Sequence, residues 1–276
     1  MSFKLPLFAS LCGLALSVAT TGQAQSIDAA PAAAAPPFTV SQTQSGPVIA
    51  TASPNGVSGV AGALTVAPSA IGDLSAVTAS NTTYNQIEKG AVTSQIVAPA
   101  GSTSNSLMID NPTGAVTLGA QAIGTQTTAT GSEGNVIFNQ SLVGSTVRAI
   151  DNVTVTNGAV IKDQTVAFGN SFGSSSSSGN VTDVQSIDSA SHVSTVDNLN
   201  VIADKSNLVV QPAAYGNYAA LGAAAFGAGA VVNQPLTQTN AGSVSTTYAG
   251  TLKGVAGYAT IAPVAIGNYV TTTAGK

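Results

Sequence analysis

APVAIGNY, residues 262–269, is the last of five related steps, preceded by APSAIGD at 67–73, GAQAIGT at 119–125, TVAFGN at 165–170 and QPAAYGN at 211–217. Most place a small residue before Ile, Phe or Tyr, then a glycine and a polar residue. The glycines Gly72, Gly124, Gly169, Gly216 and Gly267 stand 52, 45, 47 and 51 residues apart, a spacing typical of arrays and solenoids. A glutamine trails the first four glycines by 14, 16, 16 and 18 residues, in Asn85-Gln86, Asn139-Gln140, Val184-Gln185 and Asn233-Gln234. A valine in a Ser/Thr-rich stretch then follows at Val92, Val147, Val193 and Val244. The fifth copy ends before its glutamine, as a capping unit would.

Glycine reaches φ values closed to other residues, and Asn is the next most tolerant type. The step therefore reads as a strand running into a corner, with the Ile, Phe or Tyr filling the interior and Asn and Gln amides laddering between coils. Between the markers, Val153-Thr154-Val155-Thr156 and Val193-Ser194-Thr195-Val196 alternate or nearly so, the mark of half-buried strands. Asn157-Gly158 and Asp163-Gln164 read as corners, and Ser174–Gly179 as a loop tip. The apolar run Ala219–Val232 is a poor helix, because each of its glycines costs about 1 kcal/mol, and it is too short to span a bilayer. The chain is thus expected to be all-β, an elongated parallel β-solenoid (β-helix) of about five imperfect repeats of about 50 residues. Two coils per repeat are expected, since one coil commonly takes about 20–30 residues.

Charged residues make up 7% of the 276, against about a quarter in ordinary soluble proteins. Thr, Ser, Asn and Gln supply the polarity, a composition that favours stacked strands. A net charge of -4 offers no basic stripe for nucleic acid. Lys4, the apolar run Leu5–Val18 and the small-residue exit Gly22-Gln23-Ala24 make residues 1–24 a secretory signal, cleaved after Ala24. Cys12 lies inside it, behind Leu11 rather than the small residue that lipid attachment needs. The mature chain then has no cysteine, which excludes disulfides, thiol catalysis and Cys-based metal sites. Residues 25–56 are rich in Pro and Ala and read as a flexible linker, either a remnant behind the signal or a tether. Residues 57–276 form the repetitive domain.

Little in the chain suggests chemistry. His192 is the one histidine; on a polar strand it is read as a surface residue rather than as a base paired with Asp197, since acid–base work requires a positioned partner. Asp183 with Asp188, or Asp197 with Asp204, offers at most loose calcium binding, because the glycine- and aspartate-rich calcium nonapeptide is missing. Gly222, Gly227 and Gly229 lack the lysine and the strand–helix boundary of a phosphate loop. No catalytic residue, metal site or cofactor is expected. Of the tyrosines Tyr84, Tyr215, Tyr218, Tyr248, Tyr258 and Tyr269, Tyr215 falls on the core position of the step. Tyr218 and Tyr269 follow the corner by two residues and are the candidate polysaccharide contacts, since aromatic faces stack on sugar rings.

The signal, the cysteine-free mature chain, and the Ala-Ile-Gly-Asn and Asn-Gln steps at long spacing resemble the holdfast attachment (anchor) protein D family of stalked alphaproteobacteria over roughly residues 57–276. Asp73 and Thr125 depart from the Asn of the step. The resemblance implies an oligomeric, non-enzymatic protein on the outer surface that anchors an adhesive polysaccharide to the outer membrane. Its implied partners are a curlin-like surface protein and an outer-membrane pore lipoprotein. Two alternatives stand beside it. One is a curlin-like, amyloid-forming adhesin subunit. The other is a β-helix enzyme acting on polysaccharide, which needs acids such as Asp183, Asp188 and Asp204 within about 10 Å in a groove.

Overall fold

The computed structural model describes residues 38–54, 57–77, 81–130, 135–158, 160–175, 180–202, 207–222 and 235–273. The signal, the first part of the linker, Asp204, Asn233-Gln234 and most of Ser174–Gly179 and of Ala219–Val232 lie outside these residues. All the regular structure described is strand, as the period-two alternation and β-branched content dictate.

The strands build four parallel sheets. Sheet 1 holds Phe38–Gln44, Thr82–Glu88, Asn135–Leu142, Asn180–Ile187 and Leu236–Asn240. Sheet 2 holds Val48–Ala52, Ala91–Ile96, Thr146–Thr156, His192–Ile202 and Ser243–Tyr248, with Val57–Ser58, Leu107–Asp110 and Leu252–Lys253 paired beside them. Sheet 3 holds Leu64–Val66, Ala115–Leu118, Val160–Asp163, Asn207–Val210 and Ala259–Ile261. Sheet 4 holds Ser69–Val77, Gln121–Thr130, Val166–Ser175, Ala213–Gly222 and Val264–Thr273. The chain visits the sheets in that order and then starts the next turn, a parallel β-solenoid.

Two expectations change here. Phe38 pairs with Thr82, 44 residues on, and Ala91 with Thr146, 55 residues on, so one coil, not two, takes up each interval. The coil is long because its cross-section has two lobes. Residues 38–52 are not linker but the first coil. FTVSQTQ repeats the pattern of TTYNQIE and pairs with it residue for residue.

The main lobe lies between sheets 2 and 3 and the near half of sheet 4. It is filled by columns such as Val92, Val147 and Val193, which occupy equivalent positions in successive coils, as the valine marker implies. The smaller lobe lies between sheet 1 and the far half of sheet 4 and contains Tyr84, Val136, Phe138, Phe172 and Ala219. Asn157-Gly158 is a turn, with Asn157 at φ 56, and Gln164 links sheet 3 to sheet 4 at the other expected corner.

Gly72, Gly124, Gly169, Gly216 and Gly267 are not corners; each lies inside a sheet 4 strand, and none adopts positive φ. What they need is space. A Cβ on Gly124 would stand 2.6 Å from the Gly169 carbonyl oxygen, and one on Gly169 2.5 Å from that of Gly216. The strand pairing skips these glycines, which stand where the strand crosses from one lobe to the other. It is the alanine of the step that enters the main core: Ala70, Ala122, Ala167 and Ala214 are buried there. The neighbouring Phe168, Tyr215 and Ile266 pack in a separate cluster, because adjacent strand residues face opposite ways.

Candidate glycan-contact face

The bulky residues of the step form a column on the outer side of sheet 4, since Ile71, Ile123, Phe168, Tyr215 and Ile266 are paired in register. In a regular strand Tyr215 and Tyr218, three residues apart, point to opposite faces. Here Gly216 faces the main lobe and the buried Asn217 bonds to the Thr239 carbonyl of sheet 1, so two consecutive residues turn inward. That irregularity returns Tyr218 to the side of Tyr215.

The result is an aromatic cluster. Tyr218 and Tyr269, adjacent in register, stack with centroids 5.6 Å apart and planes 14° apart. Phe168 and Tyr215 stack at 5.2 Å and 12°. Tyr218 meets the Phe168 ring edge-on at 5.1 Å, a favourable arrangement for ring quadrupoles. Amides flank the rings: Gln121, Gln126, Gln164 and Gln211 line the same groove, and Gln164 Nε2 donates to Gln211 Oε1 at 3.2 Å. Burial, then the neighbouring Tyr269 and Tyr218, pushes the Tyr215 hydroxyl up to about 12, so it stays protonated at physiological pH. Among the described residues no charged side chain lines the groove. Flat apolar rings beside neutral amides suit the faces and hydroxyls of an uncharged sugar. Tyr269 is 36% exposed, at the accessible end of the stack. From the sequence, Tyr218 and Tyr269 are the expected contacts and Tyr215 and Phe168 interior residues; Tyr215 is indeed buried, in a cluster of its own at the base of the groove, and the glutamines that line it were not singled out as contacts.

The other tyrosines lie elsewhere. Tyr84 stacks on Phe138 inside the smaller lobe, Tyr248 donates to the Leu199 carbonyl in the main lobe, and Tyr258 is exposed.

Behind the face run two side-chain ladders. Gln86 Nε2 donates to Gln42 Oε1 at 3.1 Å, Gln140 to Gln86 at 3.1 Å, Gln185 to Gln140 at 2.9 Å and Gln238 to Gln185 at 2.7 Å. Each also donates to a sheet 4 carbonyl, as Gln185 does to Tyr218 at 3.1 Å, tying sheet 1 to the strands that carry the aromatic face. The last rung is Gln238 rather than Gln234, and Gln42 adds a rung in the first coil. The second ladder runs through the step: Thr125 Oγ1 donates to Asn170 Oδ1, Asn170 Nδ2 to Asn217 and Asn217 Nδ2 to Asn268, each at 2.8 Å.

The acids do not converge on a groove. Asp183 is buried among apolar residues of the smaller lobe, its carboxyl pushed well above the usual range by burial. Asp188 is half-buried and accepts from Gly144 N, Ala190 N and Ser191 Oγ; the Ser191 hydroxyl leads in holding it below the usual range. Asp204 lies outside the described residues. Asp197 is fully buried in the main lobe while His192, five residues earlier, faces outward with Nδ1 2.6 Å from Ser243 Oγ. An odd separation on one strand keeps this pair apart. Asp197 has company inside: Asp151 pairs with it in register, and Asp163 faces them from sheet 3. Burial raises all three, Asp197 to about 7, and the charges of Asp151 and Asp197 raise Asp163 further. Among the described residues no group of three or more His, Cys, Asp or Glu is arranged to hold a metal ion.

No family model matches the chain, and no curated protein or solved structure is significantly similar to it.

Proposed function

We propose that this protein is an exported surface scaffold that holds an adhesive polysaccharide to the outer membrane, acting as an assembly of copies. The observation that carries this reading is the outer face of sheet 4, where Phe168, Tyr215, Tyr218 and Tyr269 form a rigid aromatic platform edged by glutamine amides. The scaffold supplies stiffness: with every coil paired to the next, the platform is held by backbone ladders rather than by loops. The resemblance to the holdfast anchors adds the membrane end of the link, a curlin-like surface protein and a pore lipoprotein.

The test has two arms. In affinity electrophoresis through neutral and acidic polysaccharide, the protein is retarded by the neutral one. The double variant Tyr218→Ala, Tyr269→Ala loses at least about tenfold in affinity while keeping its melting transition. Cells lacking the gene shed adhesive material that they still make; a knockout that keeps its adhesin rules the anchoring role out. The curlin-like alternative draws support from the glutamine ladder, which resembles the amide stacking of amyloid. It requires thioflavin-positive, detergent-resistant fibres from the purified chain.

A further inference from the structure

We propose that the last coil of one copy docks, edge on and in register, against the first coil of the next, joining copies head to tail into an open filament. This rests on the scaffold reading only in taking copies to act together.

Four observations carry it. First, Phe38–Gln44, Val48–Ala52, Leu64–Val66 and Ser69–Val77 end their sheets on one side, and Leu236–Asn240, Ser243–Tyr248, Ala259–Ile261 and Val264–Thr273 on the other. Among the described residues, each leaves one edge of backbone donors and acceptors unpaired, a template for parallel pairing.

Second, the two ladders have opposite polarity and their ends match. In the glutamine ladder each later coil donates to the earlier one, which leaves an acceptor, Gln238 Oε1, at the end of the chain. It leaves the donor Gln42 Nε2 at the start, reaching, among the described residues, only the Leu74 carbonyl at 3.5 Å. In the asparagine ladder each earlier coil donates to the later one, ending on the Asn268 amide. The column starts at Asp73, and Thr125 beside it has already given its hydroxyl hydrogen to Asn170. Among the described residues Asp73 Oδ2 is buried with no donor. The one amide of this column with a hydrogen to give across a junction is Asn268 of another copy.

Third, Gly267 lacks the carbonyl neighbour that the other four glycines of its column have. At Gly72, Gly124, Gly169 and Gly216 the carbonyl of the next glycine excludes a Cβ, whereas at Gly267 the nearest atom is the Asn240 amide nitrogen, 3.0 Å away. The Gly72 carbonyl of a second copy supplies the missing neighbour.

Fourth, the interior columns end in fitting sizes. The column that begins at Ala52 ends at Tyr248. Ile261, 39% exposed, ends the column of Val66, and Val270, 44% exposed, that of Ser75. The contact is heterologous and does not close on itself, so it propagates.

The experiment uses the purified exported chain without polysaccharide, so its failure leaves the glycan reading standing. Sedimentation and electron microscopy should show filaments with an axial repeat of about 24 Å per copy, five coils at the strand spacing of about 4.8 Å. Gly267→Val blocks one end. Ile49→Pro blocks the other: the Ala52 carbonyl bonds to Val97 N within the chain, so the backbone of Ile49, three residues earlier, faces the open edge, where proline is tolerated. Each variant alone is a monomer with wild-type circular dichroism, and an equimolar mixture forms a dimer and nothing larger. If either loses its dichroism, Val270→Lys and Thr51→Pro take their places. A wild type that stays monomeric at high micromolar concentration overturns the proposal. So does an end-blocked variant that still makes filaments, or a mixture that does not dimerise.

Discussion

The main lobe is filled by aliphatic columns such as Val92, Val147 and Val193, with Leu118 and Leu208 across from them, whereas the smaller lobe stacks Tyr84, Phe138 and Phe172 beside an unbroken file of glutamines. Apolar burial is strong but has no direction. A valine column resists slippage by one position only through the shapes of its neighbours. A glutamine bonded above and below and to a carbonyl opposite has one register in which all its partners are met. Cohesion therefore comes mainly from the large lobe and register from the small one, and the glycine column is the seam where they meet.

The hardest test strikes that seam. Gly169→Val puts side-chain atoms against the Gly216 carbonyl, Ile187 Cδ1 at 2.8 Å and Val193 Cγ2 at 3.0 Å, touching residues of both neighbouring sheets. A loss above about 4 kcal/mol is expected, seen as absent strand signal in circular dichroism; a soluble variant with a cooperative melt would show that the seam is loosely packed.

Next comes pH. Asp197 is raised to about 7, Glu88 to about 7 and Asp73 to about 6, with burial the leading cause in each. In the unfolded chain these groups titrate near 4. Below that both states are protonated and the native state keeps its full stability. As pH rises from about 4 to 7 the unfolded chain releases protons that the native state retains, so stability falls, by at most on the order of 4 kcal/mol for a group shifted as far as Asp197, and by less to the extent that solvent screens it. Melting temperature should therefore drop across this window and level off above it. Asp197→Asn should flatten the profile, and an unchanged slope would place the titrating group elsewhere.

Gln140→Leu sharpens the division between the lobes. It leaves the Gln185 amide and the Ser171 carbonyl each short of a partner, at a cost of about 1–3 kcal/mol in denaturant titration. Gln238→Leu, at the end of the ladder, should cost less than about 1 kcal/mol; equal losses would mean that the ladder is not cooperative along its length. The smallest effect has the opposite sign. Asp183 sits in register with Phe138 and Leu236, and among the described residues neither of its oxygens has a partner, so Asp183→Leu should stabilise by about 1–2 kcal/mol at neutral pH, measured as a raised melting temperature.

The repeat interval, the valine column and the amide ladders were legible because like residues recur at like distances. The candidate face was legible only in part. Glycine is both the most permissive residue and the smallest, and the sequence does not say which property a position uses. At Gly216 size decides, and the resulting irregularity puts Tyr215 and Tyr218 on one side, where simple alternation separates them. The ends of the glutamine ladder were hidden for another reason. Gln42 stands just after a Pro/Ala-rich stretch that masks the alternation of FTVSQTQ, and Gln238 stands four residues beyond the glutamine that the interval favours. The core acids looked scattered because Asp151 and Asp163 meet across the lobe only once the coil has closed.

By itself the sequence determined that the chain forms strands, that they recur about every fifty residues and that amides stack between them. Alternation, propensity and composition act over a few residues, within reach of linear reading. The tertiary structure decided that one coil spans the whole interval, that its section has two lobes, and that bulky residues beside the glycines turn outward to make a face. Those outcomes depend on contacts between residues 44 to 55 positions apart, where close approach of one glycine to another's carbonyl overrides the local preference of either.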